Sequence, residues 1–78
     1  MSPKFPAVTS DEIIAVLKKT GFKFKRQSGS SHAIYYRVSD SRRTVVPIHV
    51  GKTVKRKTFK SILADSGLTI EEFIELNR

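Results

Sequence analysis

Phe22-Lys23-Phe24-Lys25, His32-Ala33-Ile34-Tyr35-Tyr36-Arg37-Val38 and Thr44-Val45-Val46-Pro47-Ile48-His49-Val50 are three runs of β-forming residues joined by short polar segments. In the first, aromatic residues and lysines alternate with period 2. That pattern predicts a strand burying Phe22 and Phe24 and showing Lys23 and Lys25. Gln27-Ser28-Gly29-Ser30-Ser31 has the composition of a turn. In the second run Ile34, Tyr36 and Val38 share one face, and Ala33, Tyr35 and Arg37 share the other. The bulkier set assigns Tyr36 to the core and leaves Tyr35 and Arg37 on the wet face. Ser39-Asp40-Ser41-Arg42-Arg43 is short enough to close an antiparallel hairpin. Pro47 has no N–H to give, so the third strand, Thr44 to Val50, lies at an edge or bulges there.

Helix signals flank the strands on both sides. Thr9 as N-cap and Glu12 three residues on form a capping box, with Val8 and Ile13 as a hydrophobic staple. Ile13, Val16 and Leu17 follow at helical spacing, and Gly21 suits the position just past the end. After the basic loop Gly51-Lys52-Thr53-Val54-Lys55-Arg56-Lys57, Thr58 is the expected N-cap of a second helix. Phe59, Ile62 and Leu63 form its apolar stripe, and Gly67 closes it. Thr69 and Glu72 repeat the capping box for a short last helix through Leu76, with Leu68 and Phe73 as staple.

The predicted order is helix, three-stranded antiparallel sheet, helix, short C-terminal helix. With both longer helices on one face of the sheet, this is an α+β domain resembling the double-stranded RNA-binding architecture. Residues 1–8, carrying Pro3 and Pro6, read as a short N-terminal arm, and residues 9–78 as a single domain. The other sheet face is expected to stay wet and to carry Lys23, Lys25, Tyr35 and Arg37.

Composition narrows the chemistry. Seventy-eight residues allow one core, and no apolar run reaches the ~18 residues of a membrane span. The first residues lack the apolar core of a signal peptide, which leads to the expectation of a cytoplasmic protein. Zero cysteines exclude a thiolate nucleophile, and with two histidines no metal site and no cofactor are expected. Lys and Arg number 15 against 7 acids, giving a net charge of +8. Lys18 to Lys60 holds 13 bases and one acid, Asp40, whereas Ser61 to Asn77 holds four acids and no base. Such segregation favours a polyanionic partner at one face. The plainer reading is a solubilising surface.

Four features could carry function. Gly29-Ser30-Ser31-His32 delivers a histidine from a flexible loop whose backbone and hydroxyls at Ser30 and Ser31 can approach phosphate. A placed imidazole at His32 supplies proton transfer worth roughly 10²–10⁴-fold, although a structural histidine opening a strand fits the spacing too. His49 points away from Val46, Ile48 and Val50, as a surface residue or an outlying phosphate contact. Lys55, Arg56 and Lys57 ahead of a helix N-terminus combine point charges with free N–H groups. Tyr35 and Arg37 could meet bases or phosphates, and could equally be ordinary cross-strand partners.

Gly21-Phe22, Arg26-Gln27, the glycine–serine–histidine loop into Ile34-Tyr35, Val46-Pro47-Ile48-His49, Ser61-Ile62-Leu63 and Leu68-Thr69-Ile70-Glu71-Glu72-Phe73 resemble the HicA toxin family in order and spacing, from about Asp11 to Leu76. The resemblance implies a metal-independent mRNA endonuclease, a toxin component neutralised by a HicB-type antitoxin that masks its active site. The family's catalytic histidine lies in its Gly-Ser-His loop, and the matching position is His32. Ser31 stands between Ser30 and His32, so either the loop is one residue longer or Ser31 occupies the catalytic position. The family also favours glycine where Lys57 stands. On this reading His32 is the general acid/base, and Lys23, Lys25, Arg37, Lys55, Arg56, Lys57, Ser30 and Ser31 hold RNA. The alternative is a non-catalytic RNA-binding module of the same fold.

Overall fold

Thr9 starts the first helix as its spacing predicts. In the computed structural model, which describes residues 5–29 and 31–78, its side chain accepts from the Glu12 N–H at 3.2 Å. Glu12 returns the bond, its Oε1 accepting from the Thr9 N–H at 3.0 Å. Helix α1 (Ser10–Lys19) then buries Ile13, Val16 and Leu17 on one stripe. Strands β1 (Lys23–Ser28), β2 (His32–Arg37) and β3 (Arg42–Pro47) form an antiparallel sheet in the order β1-β2-β3. Helices α2 (Arg56–Ser66) and α3 (Ile70–Leu76) complete the α+β architecture expected from the sequence. Thr69 and Glu72 form the second capping box. Gly67 closes α2 in the left-handed region at φ 72°, which a residue with a Cβ adopts only under strain.

One core lies between the helices and one sheet face. Ile13, Val16 and Leu17 meet Phe59, Ile62 and Leu63 over Ala33, Tyr35 and Val46. Phe73 brings α3 in, its ring 4.8 Å edge-on from that of Phe59. The arm is part of this packing where it is described. Val8 is buried, Phe5 stands edge-on to Phe59 at 5.8 Å, and the Val8 carbonyl accepts from the Val54 N–H at 2.7 Å.

The two faces of β2 are the reverse of the expectation. Tyr35, 5% exposed, belongs to the core with Ala33, whereas Tyr36 lies on the open face. Each alternating set carries a tyrosine and an aliphatic residue, so period alone could not choose between them. Pairing chooses: Ala33 sits opposite Val46 and Tyr35 opposite Thr44, and both partners are fully buried beneath the helices. Ile34 is buried from the other side, outside the main core.

Three further expectations change. Phe24 does face the helix side, its ring 5.8 Å edge-on from Tyr35, yet it is 53% exposed. β1 is an edge strand, and the helices pack chiefly over β3 at the opposite edge. Strand β3 stops at Pro47, three residues early, and Val50 is exposed in the turn beyond it. Pro47 does occupy an edge strand, as its missing N–H requires. Helix α2 begins at Arg56, with Lys55 rather than Thr58 at the N-cap, and the first i→i+4 bond runs from the Phe59 N–H to the Lys55 carbonyl at 2.9 Å.

Candidate nucleic-acid interface

Cross-strand pairing puts one set of side chains on the open face. Lys23 pairs with Tyr36 and Tyr36 with Arg43; Arg26 pairs with Ile34 and Ile34 with Val45; Ser28 pairs with His32 and His32 with Pro47. Lys25 is the extra residue of a bulge between Phe24 and Arg26. Lys25 keeps to the side of Lys23, with its Nζ 5.3 Å from the centre of the Tyr36 ring, and the bulge brings Arg26 onto that side as well. Lys23, Lys25, Arg26 and Arg43 are all exposed, and no carboxylate shares their face among the described residues. A cationic surface with a central tyrosine is suited to phosphate and to bases.

His32 is exposed at the end of this face where β2 begins. Ser31, just before it, is half-buried, and its carbonyl accepts from the Ile48 N–H at 2.7 Å. That bond extends the β2–β3 pairing past the strand ends and holds the residue preceding His32. Ser30 lies outside the described residues.

Pro47, the partner of His32, also borders a groove of about 390 Å³ with His49, Lys52, Thr53, Val54, Lys55 and Thr58. Its far wall is tied to the start of the chain by the Thr9–Thr53 bridge and by the Val54–Val8 bond. The α2 N-terminus opens here. It has no side-chain cap and no acid in its first turn, and Lys55, Arg56 and Lys57 are exposed around it. Cations at the positive end of a helix oppose the macrodipole, and an anion would relieve both. His49, read from the sequence as a surface residue or an outlying phosphate contact, lines this groove together with Lys52 and Lys55.

Arg37 is not on the open face. Paired with Arg42 on the helix side, it lies 4.5 Å over the Phe22 ring. Its Nη1 donates to the Thr20 carbonyl at 2.9 Å and its Nη2 to the Ser66 carbonyl at 3.2 Å. These are carbonyls at the C-terminal ends of α1 and α2, so Arg37 joins the layers instead of waiting for a ligand. Arg42 does similar work, its Nη1 donating to the Asp65 carbonyl at 3.1 Å.

Sequence reasoning missed Arg26, Arg43 and Tyr36 as members of the basic face. Arg26 was hidden by the bulge, which shifts the alternation by one. Arg43 was hidden by the short connection, since β3 begins at Arg42 and only four residues, 38–41, link it to β2. Ser41 makes that closure by adopting a left-handed conformation at φ 58°.

Among the described residues no helix is long and apolar enough to cross a membrane. A family model described as "HicA toxin of bacterial toxin-antitoxin" matches residues 10–68, a span that takes in α1, the sheet, His32, the groove and α2. No curated protein matches the chain.

Proposed function

We propose that this chain, which belongs to the HicA toxin family of bacterial toxin–antitoxin systems, cleaves mRNA with His32 as the general acid/base. The observation that carries the reading is the exposed His32 at the end of a carboxylate-free face bearing Lys23, Lys25, Arg26 and Arg43. Of the two loop positions that could match the family's catalytic histidine, Ser31 is half-buried and held by its backbone, while the His32 side chain is open to a ligand.

The imidazole takes the proton of a ribose 2′-hydroxyl. The freed oxygen attacks the adjacent phosphorus, an O2′–P bond forms and the P–O5′ bond breaks. The same proton then passes to the departing 5′-oxygen, leaving a 2′,3′-cyclic phosphate and a 5′-hydroxyl. Cations at the rim stabilise the charge that grows on the phosphoryl oxygens. Lys55, with Arg56 and Lys57 beside it, is best placed for this, because its groove borders the partner strand of His32. Lys23, Lys25, Arg26 and Arg43 hold the flanking phosphates. Among the described residues no carboxylate, the side chain that holds magnesium best, shares the open face, which favours a metal-independent route.

A toxin of this family implies an antitoxin partner. A HicB-type protein covering the basic face would mask His32 and exclude RNA together. With mRNA as substrate, the working compartment is the cytoplasm.

The test is incubation of the purified chain with labelled RNA in the presence of a chelator. Cleavage is expected, and His32→Ala should abolish it while RNA affinity is retained. Undiminished cleavage by that variant sinks the assignment of His32, and binding without any product by the unaltered chain leaves only an RNA-binding module.

A further inference from the structure

The corner where β1 begins and β2 ends holds a second groove, of about 550 Å³, lined by Lys23, Phe24, Lys25, Tyr36 and Val38 beside Gly21 and Ser39. The catalytic reading uses its two lysines as phosphate contacts and assigns nothing to its aromatic and apolar walls. Two of its apolar walls are open to solvent, Phe24 at 53% and Val38 at 78% exposure. The lysine of the β1 bulge already sits over the Tyr36 ring. Edge strands usually screen such apolar surface, and here an exposed phenyl ring and a half-buried tyrosine line one groove with two lysines.

The geometry points to this groove as a base-stacking subsite for single-stranded RNA. It takes one nucleobase at the Tyr36 ring, in the place Lys25 now covers, with Phe24 lining the groove from the other side of the β1 edge, while Lys23 and Lys25 hold the phosphates on either side of it. Charge complementarity selects the occupant. Aromatic rings flanked by lysines, with no carboxylate lining the groove, match a base within a polyanion better than an apolar protein segment. Placement agrees with this. Tyr36 and His32 lie four positions apart on the same face of β2, about 13 Å at ~3.3 Å per residue. A strand engaged at His32 and running along the sheet therefore reaches the groove a few nucleotides from the scissile bond. The subsite would select substrates by length and single-strandedness, since a base paired within a duplex cannot be stacked there.

The proposal rests on the RNA reading above, and the experiment separates the two. Affinity of the full chain for single-stranded oligomers of graded length is measured by fluorescence anisotropy for the wild type and for Tyr36→Leu, Phe24→Leu and Tyr36→Phe. Thermal melting checks that each variant is folded. Stacking of one base predicts that Tyr36→Leu binds long oligomers about five- to a hundred-fold more weakly. Phe24→Leu weakens binding in the same direction, and Tyr36→Phe, which keeps the ring, restores wild-type affinity. Oligomers too short to span from His32 to the groove should be insensitive to all three changes. Long oligomers bound equally by wild type and both leucine variants overturn the subsite and leave the nuclease reading standing. If the leucine variants bind RNA normally but lose a HicB-type antitoxin, the groove belongs to a protein partner and the proposal falls. A wild-type chain that binds no RNA of any length removes both readings at once.

Discussion

Arg37 grips Asp40 with both arms of its guanidinium, Nε donating to Oδ1 at 2.9 Å and Nη2 to Oδ2 at 2.7 Å. The same carboxylate is met by Arg42, whose Nε lies 3.1 Å from Oδ2. Asp40, the single acid between Lys18 and Lys60, thus neutralises the two arginines that reach back to the helix ends. Its place on the helix side keeps it away from the basic face, whose field it would otherwise weaken.

Replacing Arg37 by Met should therefore act on stability and not on ligand binding. Removing its bonds to two helix-end carbonyls and to a carboxylate should cost about 2 kcal/mol, lowering the melting temperature by roughly 10 °C for a domain this small. RNA affinity and its salt dependence should stay at wild-type values at a temperature where the variant is folded. A reduced salt slope in the folded variant would return Arg37 to the RNA-binding set.

The Arg37 hydrogen bonds hold the Asp40 carboxyl down to about 2 from its ordinary 3.8. A carboxyl lowered in the folded state favours folding above its unfolded value, and that contribution disappears as pH falls through the folded one. Stability should therefore decline from about pH 4 toward pH 2. Glu12, lowered by its bonds to Asn77 and Thr9, acts in the same direction. Melting curves of Asp40→Asn and wild type should converge over that interval. A gap independent of pH would show that Asp40 acts by packing alone.

Strand pairing places Arg26 and Arg43 on the basic face, so each is open to a direct test. A single change to Gln frees one phosphate of a single strand to recover its counterion. The slope of log affinity against log salt should then fall by about 0.7 for each such phosphate, without preference among RNA sequences. Titration over a series of salt concentrations reads this. An unchanged slope for both variants would remove the centre of the face from the binding surface.

Opposite signs are expected at the start of α2. Changing Lys55, Arg56 and Lys57 together to Gln removes three cations from the positive end of a helix dipole that lacks a side-chain cap. The fold should gain roughly 0.5–1 kcal/mol in denaturant melts, while RNA affinity and cleavage both fall. A variant that loses stability would mean that the cluster is held by interactions within the fold and is not reserved for an anion.

Both capping boxes, the glycine that ends α2, the three strands and the one-sided charge were legible in the chain, because each rests on neighbours within a few residues. Thr9 to Ala, for example, should cost about 1 kcal/mol from local geometry alone. The basic face was legible only in part. Lys23 and Lys25 were recognised, but the step from Lys25 to Arg26 crosses a bulge that no alternation reveals. Arg43 joined the face only once Ser41 had turned the hairpin early.

Local sequence determined which segments are helix or strand, where α1 and α3 start, and that one region is strongly cationic. Tertiary structure alone decided which side of β2 meets the helices. Alternation offers a tyrosine and an aliphatic residue to either side, and only pairing with the buried Thr44 and Val46 breaks the tie. That choice turned Tyr35 inward and Tyr36 outward, drew Arg37 to the helix ends, and left His32 exposed at the end of the face that carries Lys23, Arg26 and Arg43.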